Sequence, residues 1–449
     1  MDRRNFLALV ASPVALSAVA ALQSCSSESK VINGSGSQAP GSGSQSSTGV
    51  ARSSKTRAVA ALQDGAAATK SVNDFGVDLY KTLTRGTNND YTNLVFSPAS
   101  IALALDMTRA GAKGSTANEM DRVLHISDPG ALAHSANALA SALESRTRHI
   151  ERLQNDPVDI TLAIANSLWA QKDLAFETAF LDLLATEYGA GLQLVDYKHE
   201  PEKARNLINV WVADKTKQRI PELIPQGQIT DQSRLTLVNA IYMKAPWLNT
   251  FAKESTANQP FTTTGGNVVD TATMHLNTDL RYARGSGFQA VELPYIGEEL
   301  SMLIVLPDKG TALADGVAAV STVSALASSR TVTLSLPKFD IETATGLATV
   351  LAAMGMPTAF TNAADFTGMT TAEPLVIAAV IHQANITVDE EGTEAAAATA
   401  VVMGATSAPA PQDPVQLIVN RPFVFAIRDN PTGAVLFVGH IGDPTITRK

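Results

Sequence analysis

Apolar residues recur along this chain with two periods, and the switches between them mark its elements. Ser97 followed by Pro98 has the pattern of an N-cap with proline at the first helical position. The helix they open, over 99–110, is apolar nearly all round, which predicts a buried element. Gly111 suits its C-terminal cap. Thr116-Ala117-Asn118-Glu119 has capping-box spacing and predicts the start of a further helix. Helical spacing returns over 206–217, through Leu207, Val210, Trp211 and Asp214, and over 345–354, ended by Gly355. Elsewhere the runs are strand-like: 235–242, 268–275, 288–293, 301–306 and 332–336. Two apolar strands, 423–427 and 435–441, close the chain around Asp429-Asn430-Pro431-Thr432-Gly433, a strong hairpin turn. The pattern predicts an α+β body over 69–449 with mainly antiparallel or mixed strands and no internal repeat.

Upstream of that body the periodicity stops. Residues 26–68 are rich in Ser, Gly and Gln and read as a flexible tether. About forty such residues have a root-mean-square reach of roughly 35 Å, enough to hold a body clear of a membrane. Residues 1–25 read as an export signal: Arg3-Arg4 precede an Ala-rich apolar run, 6–22, whose basic start favours cleavage over spanning. The Arg-Arg-x-Phe-Leu pattern resembles a twin-arginine export signal. Leu22-Gln23-Ser24-Cys25 resembles a bacterial lipobox, although Gln23 is not the favoured residue at its position. That resemblance implies lipidation of Cys25 and an anchor in the cell envelope, outside the cytoplasm. The alternative is ordinary cleavage after Ala18-Val19-Ala20, which leaves Cys25 a free thiol.

Composition narrows the function. The chain has 449 residues, 45% hydrophobic and 17% charged, ample material for a large core. Its net charge of -9 and the lack of a basic stripe set nucleic acid aside as a partner. One cysteine in the whole chain leaves no disulfide framework and no thiolate metal site. No HExxH, GxSxG, CxxC or phosphate-cradling loop occurs, and Gly111-Ala112-Lys113-Gly114-Ser115-Thr116 lacks the order of a P-loop. The seven histidines are scattered, and no cofactor or metal is expected. An enzyme is disfavoured, although a triad of distant residues leaves no local trace. Asp389-Glu390-Glu391 reads as a solvated run of like charge.

One segment remains, running from Asp389 through Gly392-Thr393-Glu394-Ala395-Ala396-Ala397-Ala398-Thr399 to Pro411. Its Ala, Glu and Met favour a short exposed helix. As a strand it would instead put Thr393, Ala395, Ala397, Thr399, Val401 and Met403 on one face, mostly small enough to slide between existing strands. Composition leaves both readings open.

The stretch resembles the hinge and reactive loop of the serpins, in which Glu-x-Gly-Thr-Glu-Ala-Ala-Ala-Ala-Thr marks inhibitory members. Other motifs match in order: Asn93-Leu94-Val95-Phe96-Ser97-Pro98-Ala99-Ser100-Ile101, Gly111-Ala112-Lys113-Gly114, Leu237-Val238-Asn239-Ala240-Ile241-Tyr242 with Trp247, and Leu293-Pro294-Tyr295. Leu336-Pro337-Lys338-Phe339, Ala364-Asp365-Phe366, Asn420-Arg421-Pro422-Phe423 and Leu436-Phe437-Val438-Gly439 complete the series. Lys244-Ala245-Pro246 departs mildly from the family pattern. The resemblance implies the serpin fold over 69–449, with three β-sheets, eight or nine helices and an exposed reactive loop.

It also implies an inhibitor of serine proteases that acts as a suicide substrate. The loop is cleaved, the protease is trapped as an acyl-enzyme, and the loop enters the central sheet. The alternative is a non-inhibitory member that serves as a binder or scaffold. The hinge is Glu390 with Gly392, Thr393, Glu394, Ala395, Ala396, Ala397, Ala398 and Thr399. Counting seventeen residues from Glu390 as the first puts the reactive bond at Thr406-Ser407. Because the loop to Pro422 is longer than the family pattern, Met403-Gly404 is the second candidate. Between Glu394 and Asn420 there is no Arg or Lys, so small or medium apolar pockets are expected in the target. Elastase-, subtilisin- and chymotrypsin-like proteases have such pockets, and cysteine proteases are a further target class. A monomer is expected. Ser97, Ser100, Asn239 and His382, with Trp247 near the open end of the strand, are implied to control sheet opening. The plain reading of His382 is a satisfied core histidine, and of Trp247 a core residue.

Overall fold

A computed structural model describes residues 49–85, 92–151, 157–394 and 413–448. The helices are α1 (Ala66–Leu83), α2 (Pro98–Arg109), α3 (Gly114–Val123), α4 (Leu132–Glu144), α5 (Thr178–Tyr188), α6 (Pro201–Lys215), α7 (Leu313–Leu326) and α8 (Ala348–Met354). The first strands are β1 (Gly49–Ala51), β2 (Asn93–Phe96), β3 (Arg148–Ile150), β4 (Val158–Gln171), β5 (Leu192–Val195), β6 (Leu235–Pro246) and β7 (Ala257–Thr262). There follow β8 (Val268–Gly285), β9 (Phe288–Pro294), β10 (Leu300–Pro307), β11 (Ser328–Pro337) and β12 (Phe339–Gly346). The last are β13 (Ile377–Val388), β14 (Gly392–Thr393), β15 (Val415–Ile418), β16 (Phe423–Asp429) and β17 (Val435–Ile441).

Among the described residues these strands build two sheets. The first has the order β1-β5-β4-β6-β14-β13-β12, with β3 paired to β4. The second has the order β15-β11-β8-β9-β10-β16-β17-β2, with β7 paired to β8. The strands that would make a third sheet join the second because β8 runs for 18 residues. Its start pairs with β7, its middle with β11 and its end with β9.

Strand β6 is buried on both faces, which is why its sequence is a continuous apolar run rather than an alternation. Leu235, Leu237 and Ile241 face the main core, which α2 shares. Val238 and Ala240 face a second cluster under α6, with Ile208 and Val212 of that helix and Ile381 of β13. Helix α2 packs on β4, β6, β17, α1 and α4, so its all-round apolar surface is explained.

Three expectations are corrected. Helix α3 starts at Gly114, two residues before the expected capping box. The Thr116 hydroxyl accepts instead from the Asp365 N–H, and Glu119 accepts from Thr358, so both hold neighbouring loops. Helix α8 begins at Ala348, because Thr345 and Gly346 belong to β12 and pair with His382 and Ile381.

The third correction is to the tether, whose last part is not free chain. Gly49–Ala51 pairs antiparallel with β5 at the edge of the first sheet. Ala58 N–H donates to the Thr186 carbonyl at 2.7 Å, and Arg57 reaches Asn137 Oδ1 at 2.7 Å and Glu144 at 2.7 and 2.9 Å. Backbone pairing and side-chain partners from distant segments, which composition does not report, fix this segment.

Candidate functional site

The site is a seam in the first sheet. Strands β6 and β13 pair directly and in parallel from Leu235↔Ile377 to Ile241↔Ala384. Above that stretch they diverge, and β14 lies between them: Gly392↔Pro246 and Thr393↔Ala245 on one side, Thr393↔Val388 on the other. A two-residue strand is therefore already wedged into the top of the sheet.

Only glycine fits at position 392, since an added Cβ would sit 2.3 Å from the Ala245 carbonyl oxygen. Thr393 is 1% exposed, and its hydroxyl hydrogen-bonds the Tyr295 hydroxyl at 2.7 Å. Tyr295 stacks on Trp247, with ring centroids 4.5 Å apart. The Trp247 indole N–H donates to the Asp389 carbonyl at 2.9 Å, and its backbone N–H donates to the Glu391 carbonyl at 2.9 Å. The tryptophan is thus a clamp on the turn that enters β14.

The acidic run before that turn is not a solvated face. Glu390 and Glu391 have side chains 7% and 9% exposed. Lys338 donates to Glu390 at 2.7 Å and Thr256 at 2.8 Å, while Lys253 pairs with Glu391. Burial raises the pKa of the Glu390 carboxyl, but the hydrogen bonds from Lys338 and Thr256 prevail and hold it below the usual range. Asp389 Oδ1 accepts from the N–H groups of Glu391 and Gly392 at 2.9 and 3.2 Å; burial pushes its pKa up. Each acid has a fixed role in the turn.

Lower in the sheet, Asn166, Asn239 and His382 lie side by side on β4, β6 and β13. Beneath them Ser97 caps α2, its hydroxyl accepting from the Ser100 N–H at 3.1 Å, and Ser100 donates to Asn166 at 2.8 Å. The Ser97 N–H lies 3.1 Å from His382 Nε2. A backbone N–H can only donate, so Nε2 is unprotonated and the proton sits on Nδ1, which donates to Asn239 Oδ1. Burial lowers the His382 pKa to about 3, which keeps the ring neutral. One donor at the seam is unspent: Asn239 Nδ2 is buried without a partner.

The structure therefore brings Ser97, Ser100, Asn239 and His382 together, and His382 is a buried histidine with both ring nitrogens bonded, as its plain reading has it. Trp247 stands apart from that group, eight positions further along the chain from Asn239, at the mouth of the seam. Glu390, Gly392, Thr393 and Glu394 surround the same mouth. Ala395, Ala396, Ala397, Ala398, Thr399, Met403, Gly404, Thr406 and Ser407, like Cys25, lie outside the described residues. Sequence reasoning missed Thr256, Lys253, Arg219 and Arg448, and gave Tyr295 and Lys338 no role. The last two stand in quoted motifs, so a signal was present; the others come from distant segments and carry none.

Among the described residues no group of three or more His, Cys, Asp or Glu could hold a metal, and no helix is long and apolar enough to cross a membrane.

The family described as Serpin (serine protease inhibitor) matches residues 70–444. An uncharacterised serpin-like protein of Thermococcus kodakarensis is 36% identical over 379 residues, covering 83% of this chain and 85% of its own. The leukocyte elastase inhibitor of Bos taurus is 34% identical over 386 residues, covering 82% and 97%. The native-state crystal structure of a thermophilic serpin, tengpin, superposes with a TM-score of 0.72 at 26% identity, covering 88% of this chain and 97% of that one. That family is one of protease inhibitors, not enzymes. Its matched span takes in the seam, the polar cluster beneath it and both flanks of the hinge, and the chain belongs to the serpin family.

Proposed function

We propose that this chain inhibits serine proteases as a suicide substrate, by inserting its cleaved loop between β6 and β13. The observation that carries the reading is β14, two residues of hinge already hydrogen-bonded to both walls of a seam that closes directly below it. The protease serine attacks the loop, the ester forms and the new amine end departs. The freed hinge side then extends β14 downward as a full strand.

Insertion replaces one parallel ladder by two antiparallel ones. About ten additional backbone hydrogen bonds at roughly 1 kcal/mol each supply on the order of 10 kcal/mol. That equals the whole stability of an ordinary domain and is enough to distort a protease before water releases it. We place the cut bond at Thr406-Ser407, with Met403-Gly404 as the second position. The absence of Arg and Lys from 395 to 419 favours elastase-, subtilisin- or chymotrypsin-like targets, in keeping with the name of the bovine relative. We further propose export through the twin-arginine-type signal, and a lipid on Cys25 that anchors the protein outside the cytoplasm.

The test is incubation with a panel of such proteases. Denaturing gels should show a stable covalent complex, and sequencing of the released fragment should give the cut bond. Nicked protein should melt far above intact protein. A nicked form with an unchanged melting temperature, its residues 395–406 cut freely by a second protease, would end the proposal.

A further inference from the structure

Strand β14 stops at Thr393 because Glu394 turns into left-handed backbone, with φ +50°. That conformation disfavours a residue with a side chain, so something must hold it. Glu394 is the only charged residue between Gly392 and Gln412, and its side chain is 4% exposed. Its carboxylate lies 3.2 Å from Arg219 Nε and 3.8 Å from Arg448 Nη1. Burial raises its pKa while the two guanidinium groups oppose the rise, and the Tyr242 hydroxyl faces the same carboxylate.

The two arginines come from fixed points on the sheet. Arg219 follows α6, and its carbonyl accepts from Asn385 of β13 at 3.3 Å. Arg448 lies in the C-terminal tail, which β12 secures: its N–H donates to the Asp340 carbonyl at 2.9 Å, and its guanidinium is 3.5 Å from the Asp340 carboxylate. Extending β14 by one residue takes Glu394 from φ +50° to the roughly −140° of an antiparallel strand. Its Cβ then points elsewhere and the carboxylate leaves both partners.

We infer that Arg448 and Arg219 latch Glu394 in its turned conformation and so set how fast the loop enters the sheet. Arg448 is a positioning residue, acting from the chain terminus on the first step of insertion. The inference rests on the insertion mechanism above and adds to it a residue outside the hinge.

The experiment uses the intact full chain. Its conversion to a loop-inserted form at raised temperature is followed by native gels and urea resistance. Glu394→Gln and Arg448→Ala should each speed conversion by roughly three- to tenfold. The double variant should be no faster than the faster single one, because both remove the same interaction. Arg448→Lys should restore most of the wild-type rate. The urea midpoint of the nicked, inserted form should not move, whereas a merely structural role of the tail would lower it. Conversion of Arg448→Ala at the wild-type rate or slower, or a double variant whose effects multiply, overturns the latch. Failure of the parent mechanism looks different: wild-type protein would yield no inserted form even after its loop is cut.

Discussion

Protonation of His382 should loosen the seam from within. The ring is 0% exposed, and its Nε2 accepts the Ser97 N–H while Nδ1 donates to Asn239. A second proton on Nε2 would set two donors against each other and place an unpaired charge between β6 and α2. Burial takes the pKa from 6.5 down to about 3. In this window the unfolded chain binds the proton and the native one does not. Stability is therefore complete above pH 6.5 and is lost as pH falls toward 3. Between pH 7 and pH 5 the loss from this one group is about 2 kcal/mol. Asp106 acts in the opposite sense over part of the range, so the quantity to read is the difference between wild type and His382→Gln. Glutamine keeps one acceptor and one donor but cannot titrate. Urea midpoints from pH 7 to pH 5 should show the wild-type advantage shrinking by that amount. Parallel profiles for the two proteins would refute both the tautomer assignment and the buried neutral ring.

On the proposed mechanism, Thr393→Arg should turn the protein from an inhibitor into a substrate. The site is buried between two strands and against Tyr295. An unpaired guanidinium there would cost several kcal/mol and stall insertion, so stable complexes that persist on gels would count against the mechanism. Asp106 is buried with Oδ1 unpartnered, and burial raises its pKa to about 8. Its contribution is present below pH 3.8 and declines as pH rises toward 8, so Asp106→Asn should flatten that decline and raise the urea midpoint at pH 8; an unaltered profile would be contrary evidence. Arg57→Ala should lower stability by about 1 kcal/mol and make residues 49–58 easier to cut in limited proteolysis. Equal cleavage rates in the two proteins would show that Arg57 does not hold the strap.

Local pattern was enough for the elements whose reason for existing is local. Ser97 and Pro98 announce α2 by cap and proline, and the Asp429–Gly433 turn announces β16 and β17 by its own chemistry. The small residues after Gly392 leave helix and strand balanced, and only the family resemblance separates the two. Capping at Thr116 failed because Asp365 and Thr358, far along the chain, compete for the same side chains. The tether reading failed at Gly49 because composition cannot report a partner 145 residues on, as Gly49↔Leu194 cannot be seen from Ser and Gly content. Nor could composition show that Glu390 and Glu391 would be buried beside Lys338 and Lys253, or that Arg448 would reach Glu394. Sequence determined which pieces exist and what they are able to do. Tertiary structure alone decided which charges meet, because an ion pair depends on where the folded backbone brings two side chains and leaves no periodicity in either segment.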